Sequence, residues 1–410
     1  MDSLTHIALG AAIGELTLGR KIGNKAMFWG AVAGTLPDLD VLANPFLSEA
    51  QSVKFHRGPT HSLFFIAIAS ALFAYLLQKY FGSDFYHNKK WRRVWKWVFT
   101  SLPALAAVLI LYAGWGSLSP FILLLLTGVP VLISVMAWQR TPTVSGDIEQ
   151  PSFKNWYWFL FWVFTTHIAM DVFTTYGTQI LWPFTHYPFA YDFINVVDPL
   201  FTIPILGFVT AASFFSRKDR KRNLLNRLGI GISTFYLALT LVNKVNVNRV
   251  FKATMEDRSE QVIQFKTTPT LFNNALWYGI AETEDHFIKG YYSIFDEERL
   301  FSNLTYIPKN HELLDTILPH PDIEILKWFS RGFHLVDSME NGKLKWHDLR
   351  FGTIDFTSAE IEAESPFSFK IVKQPNGDWK AKRSRPDFRG DPGEIFGSFF
   401  QRIRGGNTGE

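Results

Sequence analysis

Six stretches of this chain are dominated by apolar residues: Ser62–Gln78, Trp97–Ala113, Pro120–Trp138, Trp156–Phe173, Leu200–Phe215 and Leu228–Val242. Each runs for roughly 15–19 residues, near the length a helix needs to cross the hydrocarbon core of a bilayer. Two shorter runs, Leu4–Leu18 and Ala26–Val41, come before them and are marginal as spans. Such runs predict an all-α polytopic membrane bundle of about eight helices. The mean hydropathy of the whole chain is nonetheless only +0.04. Polarity must therefore be segregated, with a membrane-like first part and a soluble-like last part. Asp2 and His6 sit in the first turn with no basic run ahead of them, so the start reads as an integral helix rather than a signal peptide.

The formal net charge is +4, but its placement argues against nucleic acid. Lys79, Lys89, Lys90, Arg92, Arg93 and Lys96 follow one apolar run. Arg217, Lys218, Arg220, Lys221, Arg222 and Arg227 precede another, and Arg20, Lys21 and Lys25 lie in the first short connection. Gly114–Ser119 and Thr174–Pro199 hold no Lys or Arg. The positive-inside rule puts the basic loops in the cytoplasm, and the alternate loops and everything after Val242 on the far side. The chain has no cysteine, which excludes disulfides, thiolate metal sites and a Cys nucleophile.

The expected division is a membrane domain over 1–243, a smaller extracytoplasmic α+β domain over 244–400 and a disordered tail over 401–410. In the second part "ALWYGIAE" and "DHFIKGYYSIF" alternate as strands do. "GFHLVDSM" and "KLKWHDLRFG" flank Glu340-Asn341-Gly342, and "FSFKIVK" and "DWKAKR" flank Pro375-Asn376-Gly377, both hairpin signals. These strands predict an antiparallel sheet. "NHELLDTILPHPDIEILKWFSRGF" reads as helix, interrupted near Pro319–Pro321.

The polar residues inside or beside the apolar runs carry the chemistry. In "TTHIAMDVF", His167 and Asp171 stand one helical turn apart and so share a face. They can grip one ion, or simply bond two helices together. Asp38 and Asp40, in "GTLPDLDVL", follow a helix-breaking Pro37. They suit a shared cation or a solvated helix end. In "HRGPTHS" the Gly58-Pro59 turn can fold His56 and His61 toward one centre, or both can bond loop carbonyls. His6, in "LTHIALG", is alone a packing residue as readily as a ligand. By the charge-based topology, all seven fall on one membrane face. Nitrogen and carboxylate donors without thiols suit zinc, manganese or iron. Their number exceeds what one tetrahedral zinc needs, which argues for two or more ions.

"THIALGAAIGE", "GTLPDLDVL", "HRGPTHS", and "HIAMDVFTTYGTQILWPF" followed by "FAYDFINVVDPLFT" together resemble the YdjM-like family of inner-membrane metal-dependent hydrolases, over roughly the first 215 residues. The order of His and Asp elements is also remotely similar to zinc-dependent phospholipase C, although a second helical His-x-x-x-Glu is missing. The resemblance implies a hydrolase in a bacterial cytoplasmic (inner) membrane. It maps the metal site onto His6, Asp38, Asp40, His56, His61, His167 and Asp171, with Arg57 in the same element. Asp192 and Asp198 rank second as ligands.

The resulting expectation is a hydrolase acting at the non-cytoplasmic membrane interface on a phosphoester or lipid-linked, amphiphilic substrate through a metal-activated water, with Arg57 and Asp40 as the catalytic residues. Arg57 would hold an anionic group on the substrate. The rival readings are a metal-ion carrier and a metal-braced scaffold whose soluble domain binds a partner.

Overall fold

The structure is a computed structural model. It describes residues 1–88, scattered positions from 90 to 112, and residues 150–405 apart from 316, 318, 340–341, 353–364, 366 and 385–391. The expected span Pro120–Trp138, most of Trp97–Ala113 and residues 406–410 lie outside the described residues.

The chain opens with α1 (Ser3–Ile22), capped by Asp2, whose side chain accepts from the Thr5 amide. Arg20 and Lys21 in its last turn complement the helix dipole. α2 (Asn24–Thr35) folds straight back along α1. Small residues make that contact possible. A Cβ at Gly10 would collide with the Gly30 carbonyl, one at Gly14 with the Ala26 carbonyl, and one at Gly34 with the His6 carbonyl. The two backbones therefore touch, as small-residue seams allow in membrane helices. Gly10→Leu is expected to force α1 and α2 apart and cost at least about 1–3 kcal/mol, readable as a lower melting temperature in detergent. Unchanged melting would show that the seam can open freely.

Beyond α2 the chain turns through a 3₁₀ segment at Pro37–Phe46, then α3 (Glu49–Phe55), a 3₁₀ turn at Pro59–His61, and α4 (Leu63–Phe81). A short helix, α5 (Asp84–His87), comes next, then α6 (Phe153–Phe173), α7 (Pro199–Ser213) and α8 (Arg220–Asp257). Among the described residues, two helices are long and apolar enough to cross a membrane, Leu63–Phe81 and Arg220–Asp257. The shorter apolar runs do not all become spans: α2 has 12 residues and α7 has 15. A polytopic bundle of about eight helices is thus not confirmed: among the described residues the N-terminal part is helical, and two of its helices are span-length.

Helix α8 also crosses the expected domain boundary at 243/244, running unbroken for 38 residues. Nor is Arg222 a free topological charge. It is buried and forks onto Glu15 of α1 at 2.6 and 2.5 Å.

Two antiparallel sheets follow, in the orders β1-β2-β3-β4 and β5-β6-β7-β8. The first comprises Gln264–Pro269, Leu276–Glu282, His286–Ser293 and Ser302–Pro308. The second comprises His334–Ser338, Leu344–Asp348, Ser368–Lys373 and Trp379–Ser384. The hairpin signals fall between β5 and β6 and between β7 and β8. Ser338 pairs with Leu344, and Lys373 with Trp379. Period-2 alternation gives the first sheet two buried faces. Trp277 and Ala281 pack on Val247, Phe251 and Met255 of α8. Tyr278 and Ile280 face Phe333, Leu335 and Leu349. The interrupted helix is α9 (Pro321–Ser330), with His320 as its N-cap.

Instead of a disordered tail from 401, α10 (Pro392–Ile403) continues to Ile403. Buried Arg402 forks there onto Asp296 at 2.6 and 2.8 Å.

The chain forms two compact units, Met1–Ser70 with Trp158–Glu410, and Ala71–Tyr157. Within the second, Phe81 and Trp156 are both buried, with ring centroids 4.9 Å apart and planes tilted by 49°. Within the first, the part built on the second sheet grips the segment preceding "HRGPTHS". Ala50 and Val53 of α3 are buried in the core of the second sheet with Phe329, Val336 and Trp346. Tyr176 Oη donates to the Val53 carbonyl at 3.2 Å. This docking fixes where the following histidines emerge.

Candidate metal centre

Four residues from three elements converge on one point. Asp38 enters from the 3₁₀ segment after α2, His61 from the turn before α4, and His167 and Asp171 from the last turns of α6. One donor atom from each lies within 4.8 Å of every other. His61 Nε2 is 3.2 Å from His167 Nε2, 3.3 Å from Asp38 Oδ1 and 3.2 Å from Asp171 Oδ2. His167 Nε2 is 3.7 Å from Asp38 Oδ1 and 3.4 Å from Asp171 Oδ2.

The surroundings fix which way these groups present themselves. His167 Nδ1 lies 2.8 Å from the Gly34 carbonyl, which can only accept. That nitrogen must donate, so the neutral ring turns a bare lone pair at Nε2 toward the centre. His61 Nδ1 lies 3.1 Å from Thr60 Oγ1 and 3.5 Å from Asp40 Oδ2, which likewise favours a proton there. Two Nε2 lone pairs then face each other at 3.2 Å between two carboxylates. Nothing but a proton or a cation relieves that arrangement.

The donor set fits a cation well. Zinc bonds of about 2.0–2.1 Å in a tetrahedron separate neighbouring donors by about 3.3 Å. The five separations above run from 3.2 to 3.7 Å.

Asp171 is divided between two tasks. Oδ1 takes Arg57 Nη2 at 2.9 Å, His6 Nε2 at 3.3 Å and the amino group of Met1. Oδ2 has no conventional hydrogen bond among the described residues and faces the two imidazoles. Asp171, His61 and His167 are closed off from solvent, whereas the Asp38 side chain is 22% exposed and marks an open side.

The other expected site residues surround this group of four. Asp40 is buried and organises the histidine turn. Its Oδ1 lies 2.8 Å from His56 Nδ1, and its Oδ2 accepts from the Arg57 amide at 3.0 Å and Thr60 Oγ1 at 3.2 Å. His56 thus spends its contact on Asp40 rather than on the four-donor group. His6 stacks on His167 with ring centroids 3.6 Å apart, and its Nδ1 has no partner among the described residues.

Among the described residues the Arg57 guanidinium forms no ion pair with Asp38 or Asp40; its ion pair is with Asp171. Besides Asp171 it bonds Thr174 Oγ1 at 2.8 Å and lies over the Tyr176 ring at 5.0 Å. Its Nε alone lacks a partner among the described residues. Arg57 adopts φ of 59°, a left-handed conformation uncommon for any residue other than glycine. Of the second-rank candidates, Asp192 pairs with Lys266 at 2.8 Å, and Asp198 caps α7 while accepting from Tyr236 at 2.8 Å.

Sequence reasoning missed Gly34, Thr60, Thr174 and Tyr176. A backbone carbonyl or a lone hydroxyl leaves no signature in a sequence. The glycine seam of α1 and α2, legible as small residues at helical spacing, was the one available hint that the Gly34 carbonyl would be held in place.

A family profile described as YdjM inner membrane protein matches residues 1–247. No curated protein and no solved structure matches the chain, so the remote likeness to zinc-dependent phospholipase C has no counterpart there.

Proposed function

Because the chain belongs to the YdjM inner membrane protein family, we propose that it is a membrane-embedded hydrolase. In this reading a divalent ion, zinc by its donor set, is held by Asp38, His61, His167 and Asp171 at the non-cytoplasmic membrane interface. The substrate class is a phosphoester, with lipid-linked or amphiphilic molecules favoured by a site beside span-length helices. The observation that supports it is the convergence of two imidazole lone pairs and two carboxylates from three separate segments.

A divalent cation in such a site supplies Lewis acidity and a water of lowered pKa. The protein's own residues do the rest. Arg57 holds Oδ1 of Asp171, which keeps Oδ2 turned to the imidazoles. Asp40 holds the turn that aims His61. Arg57 Nε, the unpaired donor of that guanidinium, is available to an anionic oxygen. Room for a second ion is limited by the direct contact of Asp40 with His56.

The test is hydrolysis of p-nitrophenyl phosphate mono- and diesters by zinc-loaded, full-length protein in detergent, beside His61→Ala. Turnover in the wild type that His61→Ala abolishes supports the reading, and equal rates in the two reject it. Orientation has its own check. Alkaline phosphatase fused after Glu260, beyond the end of α8, is expected to be active, and a fusion at Asn88 inactive. The reverse pattern would move the centre to the cytoplasmic face.

One observation favours a second reading, a metal-braced scaffold. Four protein donors already complete a tetrahedral set, as in structural zinc sites. Asp38→Ala separates the two. A brace loses both metal and melting temperature, whereas a hydrolytic centre that needs an open position keeps three donors and part of its metal.

A further inference from the structure

A cavity of about 660 Å³ lies among the loop 185–192, strand β1 and the C-terminal end of α9. That size is typical of small-molecule sites. Tyr187, Phe265, Trp328 and Phe333 supply aromatic wall. Among them stand two cations, Lys266 and Arg331, against one carboxylate, Asp192.

Arg331 is the unusual member. It ends α9 in a left-handed conformation, φ 53°, and lies over the Tyr187 ring at 5.4 Å. Its Nε and Nη2 are both buried and find no acceptor among the described residues. Those two N–H groups form the edge of a guanidinium that takes two oxygens side by side. Leaving such donors buried and unmet is costly. Lys266 stands 2.8 Å from Asp192. Burial pulls its ammonium down to about 7, against the opposing pull of Asp192 and with the help of the Arg350 and Arg331 charges. A further negative charge would relieve the excess of positive charge. The second cation favours a phosphate, which carries up to two charges, over a carboxylate.

The cavity shares no donor with the His–Asp centre. It does adjoin the loop that carries His56 and His61. His186 Nδ1 lies 3.0 Å from Gln179 Oε1, and the Gln179 backbone N–H donates to the Arg57 carbonyl at 2.9 Å.

We propose that this cavity binds a phosphate group carried on a ring or apolar stem, with the Nε–Nη2 edge of Arg331 as its recognition element. The site stands independently of any hydrolytic activity.

The experiment titrates inorganic phosphate into full-length protein in detergent by calorimetry. In parallel, melting is compared in nanodiscs of phosphatidylglycerol and of phosphatidylcholine. Arg331→Gln is expected to weaken the response by about tenfold or more. Arg331→Lys, which keeps the charge but not the fork, should weaken it as well, with both variants melting like the wild type when no phosphate is present. Arg331-dependent binding of free phosphate supports a soluble ligand. An Arg331-dependent rise in melting with phosphatidylglycerol alone supports a lipid headgroup. The proposal is overturned if neither probe distinguishes the variants from the wild type. It is equally overturned if the phosphate response survives Arg331→Gln but is lost in Asp171→Asn, because the anion then sits at the His–Asp centre.

Discussion

Purified Asp171→Asn protein is expected to hold less than about a tenth of the divalent metal bound by the wild type, since even partners one shell out from a metal cost 10–100-fold in affinity when removed. Asparagine matches aspartate in shape, so the fold around it has no steric reason to change. What it cannot match is acceptance at both oxygens. Oδ1 receives Arg57, His6 and the Met1 amino group, while Oδ2 faces His61 and His167. Whichever way the amide turns, its NH₂ points either at a guanidinium or into the donor group. His61→Ala and His167→Ala each remove a nitrogen donor and should do the same. His186→Ala, outside the four, should keep the metal. Elemental analysis after dialysis reads the result, with melting as the control for folding. Wild-type metal content in all three site variants, or none in the wild type, would sink the metal reading altogether.

Glu15→Ala is expected to destabilise the protein by about 3–5 kcal/mol, the cost of stranding a buried charge. Both side chains of the Glu15–Arg222 pair are only 3% exposed. The guanidinium also bonds Asn24 Oδ1 at 2.6 Å and the Phe215 carbonyl at 3.0 Å. It thereby joins α1, the start of α2 and the start of α8. Without the carboxylate, Arg222 stays charged because its pKa is far too high to yield a proton. Glu15→Leu combined with Arg222→Met should recover much of the loss, because a buried ion pair replaced by apolar groups of similar volume is often neutral or stabilising. Thermal melting of the single and double variants in detergent forms the cycle. A single variant that melts with the wild type would show that water reaches the pair and solvates Arg222.

Much of the site was legible before any coordinates. His167 and Asp171 share a helical face by spacing alone, and Pro37 and Gly58-Pro59 announce the bends that carry Asp38 and His61. What spacing could not reveal is how seven candidates divide. Asp40 and Asp38 stand two residues apart with the same side chain. The turn at Arg57 places one under the histidine loop, where it meets His56, Thr60 and the Arg57 amide. The other is left at the open side of the four-donor group. Arg57, read as a substrate contact, is mostly engaged by Asp171 and Thr174, because α6 brings those two acceptors beneath it.

The sequence by itself determined the apolar helices, the antiparallel hairpins of the second half, and the set of residue types able to hold a cation. Those follow from local periodicity, turn chemistry and charge placement, each of which acts over a few residues. Tertiary structure alone decided that α8 carries unbroken from the span-length region into the soluble sheets, because packing of Val247, Phe251 and Met255 on Trp277 and Ala281 pays for helix where the pattern suggested a boundary. It also decided that α3 docks in the second sheet and so sets the angle of the histidine turn. The division of Asp and His into donors and supports depends on distances between segments separated by 16 residues, as for Asp40 and His56, up to 165, as for His6 and Asp171, and such distances are fixed by packing rather than by any pattern along the chain.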